Sequence, residues 1–138
     1  MFFQKFSTLT FSTDNNALLN ITSEISNLIS KSKVKNGLCV VSVPHATATL
    51  VINEDEEGVK EDILQQVLNL APKKDYKYNR IDNNARAHII SAIVGSSKTM
   101  SIENGQLKLG TWQEIFFVEL DGPRPERKVE VEILGESS

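Results

Sequence analysis

The segment EIFFVELDGPRPERKVEVEIL, Glu114–Leu134, decides the fold. EIFFVEL is apolar except for its two carboxylates, the pattern of a buried strand. DGPRPER follows, marked as a turn by its glycine and two prolines. KVEVEIL then alternates charged and apolar residues, the period of a closing strand with one face on the core. Glu119 is the exception in the first strand. A carboxylate among apolar residues needs a partner or exposure, and Arg124 and Arg127 are the candidates.

Upstream, TMSIENGQLKL predicts a hairpin turning at Asn104-Gly105, and GTWQ leads into the Glu119 strand. With TWQEIFFVEL as one strand, Trp112 faces away from Gln113, Ile115, Phe117 and Glu119. Trp112 is then expected to anchor packing, its indole N–H needing a partner, and Gln113 to face a site. Gln113 and Glu119 lie about 20 Å apart along a straight strand, too far to share one small ligand within one chain.

The rest of the chain alternates strands and helices. FFQKFSTLTFST reads as a strand. From Thr13 to Gly37 a helix is expected, capped by Thr13 or Asp14, with Leu18, Ile21, Ile25, Leu28 and Ile29 at helical spacing. GLCVVSVPHATATLVINE is strand-like, with a break at Pro44. DEEGVKEDILQQVLNLAP predicts a second helix with Val59, Ile63, Val67 and Leu70 inward. A polar connection leads to a third helix, NARAHIISAIVG, stopped by Gly95. Strands and helices mixed in this order, with an all-strand C-terminal part, predict an α+β fold. Its sheet is mixed or antiparallel and packs with about three helices in one domain, residues 1–138.

The 138 residues carry a formal net charge of −3, with 40% hydrophobic and 24% charged residues. That charge argues against a nucleic-acid or anionic-membrane binder. The single cysteine, Cys39, lies in the apolar run LCVVSV and reads as a buried strand thiol. No signal peptide and no apolar run of membrane-spanning length is visible, so a soluble cytoplasmic protein is expected.

The chain has two histidines, His45 and His88. Along HATATLVINE, period two puts His45, Thr47, Thr49 and Asn53 on one face, able to line a polar pocket or a solvated sheet surface. Glu54 ends that strand, within reach of the pocket or of the next helix. On the third helix Asn84, His88 and Ser91 share a face. The start of this helix, with Arg80 and Arg86 nearby, suits an anion such as phosphate. No GxxxxGK[ST], GxGxxG or HExxH motif is present. The lysines of KSKVK and PKKDYK read as solvated faces.

HATATLVINE, NARAH, SIENGQLKLGTWQEI and ELDGPR together resemble the YjbQ family over most of the chain, with clear motifs from Leu38 to Leu134. The spacing of NG to GTWQ and an aliphatic residue is the most specific part. Ala46 departs from the hydroxyl residue common after the histidine, and Met100 from the usual aliphatic. The resemblance implies a compact α+β fold, assembly as a homotrimer, and a pocket around the histidine and NE segments. Some members are described as secondary thiamine-phosphate synthases, which join an aminopyrimidine diphosphate to a thiazole phosphate and release pyrophosphate. For an enzyme of this kind acting on small phosphorylated substrates, His45 would be acid/base or metal ligand and His88 a second one. Glu54 would be a further catalytic residue, Thr47, Asn53, Arg86 and Gln113 would hold substrate, and a divalent metal is a possible cofactor. The alternatives are a non-catalytic trimer binding a metabolite or metal, and a structural trimer whose polar residues satisfy one another at subunit interfaces.

Overall fold

The structure, a computed structural model, describes residues 2–80 and 83–137. In chain order it contains β1 (Phe2–Thr13), β2 (Ala17–Asn20), α1 (Thr22–Ser32), β3 (Asn36–Ser42), β4 (Ala48–Asn53), α2 (Glu57–Leu68) and α3 (Ala85–Val94). β5 (Ser97–Glu103), β6 (Gln106–Leu107), β7 (Glu114–Glu119) and β8 (Arg124–Glu136) complete it, and a 3-10 turn covers Lys77–Arg80. The expected α+β architecture is present: three helices pack on antiparallel strands. Among the described residues no helix is long and apolar enough to cross a membrane.

The strands form two sheets, ordered β1-β8-β3-β5-β6 and β2-β7-β4. Alternation in β8 turns Val129, Val131 and Ile133 toward a core shared with Leu50, Ile115 and Phe117 of the small sheet and Ile25 and Ile29 of α1. Phe117 meets Phe11 edge to face, with ring centroids 5.0 Å apart. The other face of the small sheet, including Val118, packs under α2 and α3 through Val67, Ala87 and Ile90. β7 is thus covered on both faces, which is why its IFFV, Ile115–Val118, reads as an unbroken apolar run.

Several expected boundaries shift. Leu18 and Leu19 pair with Val118 and Phe117 of β7, so Ala17–Asn20 is a strand and the first helix starts only at Thr22. Asn20 Oδ1, rather than Thr13 or Asp14, accepts a first-turn amide, that of Thr22. α1 ends at the left-handed Lys33, and Gly37 lies within β3. A Cβ on Gly37 would sit 2.0 Å from the Leu134 carbonyl oxygen, so β3 and β8 close together only with glycine there. Leu70 lies beyond α2 and is exposed. The break at Pro44, the stop at Gly95 and the turn at Asn104-Gly105, both with positive φ, are found as expected.

Trp112 does not anchor packing: it is 71% exposed. β7 begins two residues later, after a turn in which the Gln113 amide donates to Gly110 O at 3.1 Å and Gln113 Oε1 accepts from the Gly110 amide at 2.8 Å. Strand alternation therefore never applied to GTWQ.

Phe117 is fully buried in the inter-sheet core. Phe117→Ala is expected to lower unfolding free energy by about 3–5 kcal/mol, measured by urea denaturation. A loss below about 1 kcal/mol would show that this core collapses around the vacancy.

Candidate functional site

Three of the connections between the sheets, β1 to β2, β3 to β4 and β7 to β8, lie at one end of the small sheet. The register brings them to one place. Ala17 and Ala48 both pair with Glu119, and Thr13 pairs with Arg124. Glu119 continues the inward face of Ile115 and Phe117, and Arg127 that of Val129 and Val131, so the two meet between the sheets. Glu119 is 0% and Arg127 4% exposed. Of the two arginines open as partners, Arg127 takes the carboxylate.

The pair is bidentate, with Arg127 Nε donating to Glu119 Oε1 at 2.8 Å and Nη2 to Oε2 at 2.5 Å. Thr13 Oγ1 donates to Oε1 at 2.6 Å and the Asp121 amide to Oε2 at 2.9 Å. Arg127 Nη2 also donates to the carbonyl and hydroxyl oxygens of Thr47, both at 3.1 Å. Burial pushes the Glu119 carboxyl up, but the bonds from Arg127, Thr13 and the Asp121 amide outweigh it and hold the group below the ordinary glutamate value. Gly122 packs closely beside it: a Cβ there would stand 3.0 Å from Glu119 Cγ and 3.2 Å from the Asn15 backbone, so either would have to shift slightly to admit a side chain.

β3 accompanies β8 only as far as Ser42, opposite Glu130. Past that end the Lys128 amide donates to His45 Nε2 at 2.9 Å, so the imidazole takes the place of a strand partner. Burial and the positive charges of Arg127 and Lys128 outweigh Glu119 and hold the half-buried ring below the ordinary histidine value.

α3 is fixed to β4 by Ser91 Oγ donating to Ala48 O at 2.9 Å and by Thr49 Oγ1 donating to Gly95 O. At its start Asn84 Nδ2 donates to Asp121 Oδ2 at 2.7 Å, while Asn84 Oδ1 is buried without a partner. Asp121 also pairs with Arg124. Hydrogen bonds thus run from Thr47 through Arg127, Glu119 and Asp121 to Asn84. Beside Ala85 lies a cavity of about 360 Å³ lined by Lys73, Lys74, Asp75, Asn79, Asn83 and Arg86.

The residues expected to form one pocket are divided. His45 and Thr47 lie at the sheet crossing. Asn53, Glu54 and Gln113 lie at the opposite end of the small sheet, where Asn53 pairs with Glu114 and its Oδ1 accepts the Glu54 amide at 2.8 Å. β4 alone separates these ends by roughly 17 Å. The polar face expected along HATATLVINE does not form, because Thr47 and Thr49 are buried and bonded. Arg86 clamps the end of α2, with Nε on Ala71 O at 2.6 Å and Nη2 on Leu68 O at 2.8 Å, while lining the cavity. His88 packs on Tyr78, with ring centroids 4.7 Å apart. The Arg80 side chain lies outside the described part.

Among the described residues no three His, Cys, Asp or Glu groups converge as metal ligands. The described donors of one chain therefore do not by themselves complete a metal site at His45 and His88. Asp121 carries site geometry that the sequence did not single out, Asn84 was noted only as sharing a helix face with His88, and the lysines of PKKDYK, expected as solvated faces, line the cavity. The available signal was a carboxylate and a guanidinium eight residues apart, flanking a Gly-Pro turn.

The pH dependence of stability has two windows. His45 has a lowered folded value, so its contribution is complete above about pH 6.5 and declines as pH falls below that. Glu119, also lowered, contributes fully above about pH 4.3 and loses its contribution as pH falls through its folded value. Urea unfolding of the wild type should show both losses, and His45→Gln only the lower one. An unchanged upper window in His45→Gln would contradict the assignment.

The UPF0047 protein YjbQ-like family model matches residues 7–136. A UPF0047 protein of Methanocaldococcus jannaschii is 46% identical over 86% of this chain and 86% of its own length. The UPF0047 protein YugU of Bacillus subtilis is 35% identical over 81% of this chain and 86% of its own. The crystal structure of a YbjQ-like protein of unknown function from Sulfolobus solfataricus superposes with a TM-score of 0.96 at 42% identity, covering 99% of this chain and 100% of that one. A hypothetical protein from Aeropyrum pernix gives 0.91 at 40% identity, covering 96% and 99%. With its sequence motifs, its two-sheet architecture and these matches in agreement, the chain belongs to the UPF0047 YjbQ-like family.

Proposed function

We propose that this protein binds a small phosphorylated metabolite and acts on it as a thiamine-phosphate-synthase-like transferase. The observation that carries this is the cavity of about 360 Å³ at the start of α3, with Lys73, Lys74 and Arg86 in its lining. That volume suits a small metabolite, and cationic side chains at a helix start suit a phosphate or diphosphate group. In such a reaction the thiazole nitrogen forms a bond to the pyrimidine methylene carbon. The carbon–oxygen bond to the diphosphate breaks, and pyrophosphate leaves with the electron pair. Lys73 and Lys74 would stabilise the charge gathering on the leaving group. No step is assigned to a metal.

His45 and Glu54 sit near opposite ends of β4. A site using both, with Thr47, Asn53, Gln113 and His88, would therefore be built from more than one copy, which favours a homotrimer. Exposed apolar side chains support assembly: Phe2 and Phe6 on the outer face of β1, Leu38 on that of β3, and Trp112. Cys39, the only cysteine, is buried with its thiol pushed up to about 11 by burial, which suits a reducing cytoplasmic setting.

The second reading is a non-catalytic metabolite-binding trimer. His88 favours it, because the ring packs against Tyr78 in a tilted contact and, among the described residues, no carboxylate hydrogen-bonds to it.

Three measurements test these readings. Pyrophosphate binding by calorimetry should weaken about tenfold in Lys73→Ala/Lys74→Ala, and unchanged affinity would remove the cavity from the proposal. Incubation with the two thiamine precursors should release pyrophosphate. Binding without turnover would select the non-catalytic reading. Light scattering should give a trimer mass that falls to monomer in Phe6→Glu, and a monomeric wild type would contradict the assembly.

A further inference from the structure

His45 offers two ring nitrogens, and one is already committed. Nε2 accepts the Lys128 backbone N–H at 2.9 Å. A backbone amide keeps its proton, so Nε2 must present a lone pair, and the neutral ring carries its own proton on Nδ1. Nδ1 makes no side-chain hydrogen bond among the described residues and is not a buried orphan, so it is open to solvent. Coordination of a metal by Nε2 would displace the Lys128 amide. Coordination by Nδ1 would move the proton to Nε2, where it would face that same N–H. A base working through either nitrogen meets the same obstacle. A donor at Nδ1 meets none.

The surroundings select the acceptor. Glu119, the carboxylate whose charge acts on the ring, has both oxygens occupied by Arg127, Thr13 and the Asp121 amide. The charges of Arg127 and Lys128 both act on the ring. The Lys128 ammonium stands only 4.0 Å from exposed Glu126, a weak surface pair that leaves it open to an anion. We infer that His45 is a fixed Nδ1–H donor to a phosphoryl oxygen of the ligand, and neither a metal ligand nor a general base. The choice of a phosphorylated ligand rests on the function proposed above, whereas the tautomer rests on the Lys128 hydrogen bond alone.

Two substitutions separate the ring nitrogens. In His45→Gln the side-chain oxygen can accept the Lys128 amide, but nothing replaces Nδ1–H. In His45→Asn the side-chain amide can replace Nδ1–H, but nothing reaches Lys128. Long-range proton–nitrogen NMR of the labelled wild type at pH 7.5 should show Nδ1 protonated and Nε2 bare, unchanged by added Zn²⁺. Calorimetry with pyrophosphate should show about a tenfold loss of affinity in His45→Gln, with Tm near the wild type, and near wild-type affinity in His45→Asn, with lowered Tm. A proton on Nε2, a Zn²⁺-induced shift of either nitrogen, or full affinity in His45→Gln would overturn the inference and leave the phosphorylated-ligand function standing. Tighter binding of acetate than of pyrophosphate would overturn the phosphoryl assignment. A wild type that binds no pyrophosphate would overturn both the function and the donor role, while the tautomer would still be read by NMR.

Discussion

The Glu119–Arg127 pair sits where three sheet-to-sheet connections converge, and the arrangement of the crossing depends on it. Two inward faces that are otherwise apolar end there in a carboxylate and a guanidinium. Desolvating two charges is expensive, and their attraction offsets the cost only with good geometry and full hydrogen bonding. Both conditions hold. The carboxylate receives Arg127, Thr13 and the Asp121 amide, and the guanidinium reaches on to Thr47. Each bond comes from a different chain segment, so satisfying the pair fixes the relative positions of β1, the lead into β4, and the turn before β8.

The polar surface around the crossing inherits that order. Lys128 follows Arg127, and its amide, beyond the reach of β3, is taken by His45. Asp121 follows the end of β7 and holds Asn84 at the start of α3. The cavity beside α3 and the imidazole near β8 are therefore tied to one buried ion pair, although they lie on different elements. This makes Glu119 and Arg127 positioning residues for the candidate site.

The parts of the fold legible in the sequence were those with local causes. Asn104-Gly105 required a turn, Pro44 broke a strand, and Gly95 stopped a helix, each through its own backbone preference. Where tertiary pairing overrode local pattern, expectation failed. Leu18 fits a helical spacing but pairs with Val118 in a strand. Trp112 looked like an anchor because alternation was extended two residues past the strand's true start. At the site, the need of Glu119 for a partner was legible from its apolar neighbours, but the choice of Arg127 over Arg124 depends on sheet register. The separation of Asn53 from His45 needed only the strand rise, about 27 Å over eight residues, which the expectation of one pocket overlooked, whereas the place of Gln113 depends on the pairing of β7 with β4.

A double-mutant cycle tests the role of the buried pair most directly. Glu119→Gln, Arg127→Met and the double variant would be compared with the wild type by urea unfolding at one protein concentration. Each single change leaves a buried group without its partner and should cost about 3–5 kcal/mol. The double variant should cost less than the sum of the two by more than about 1 kcal/mol, the mark of direct coupling. Additive losses would contradict the claim that this one interaction holds the crossing together.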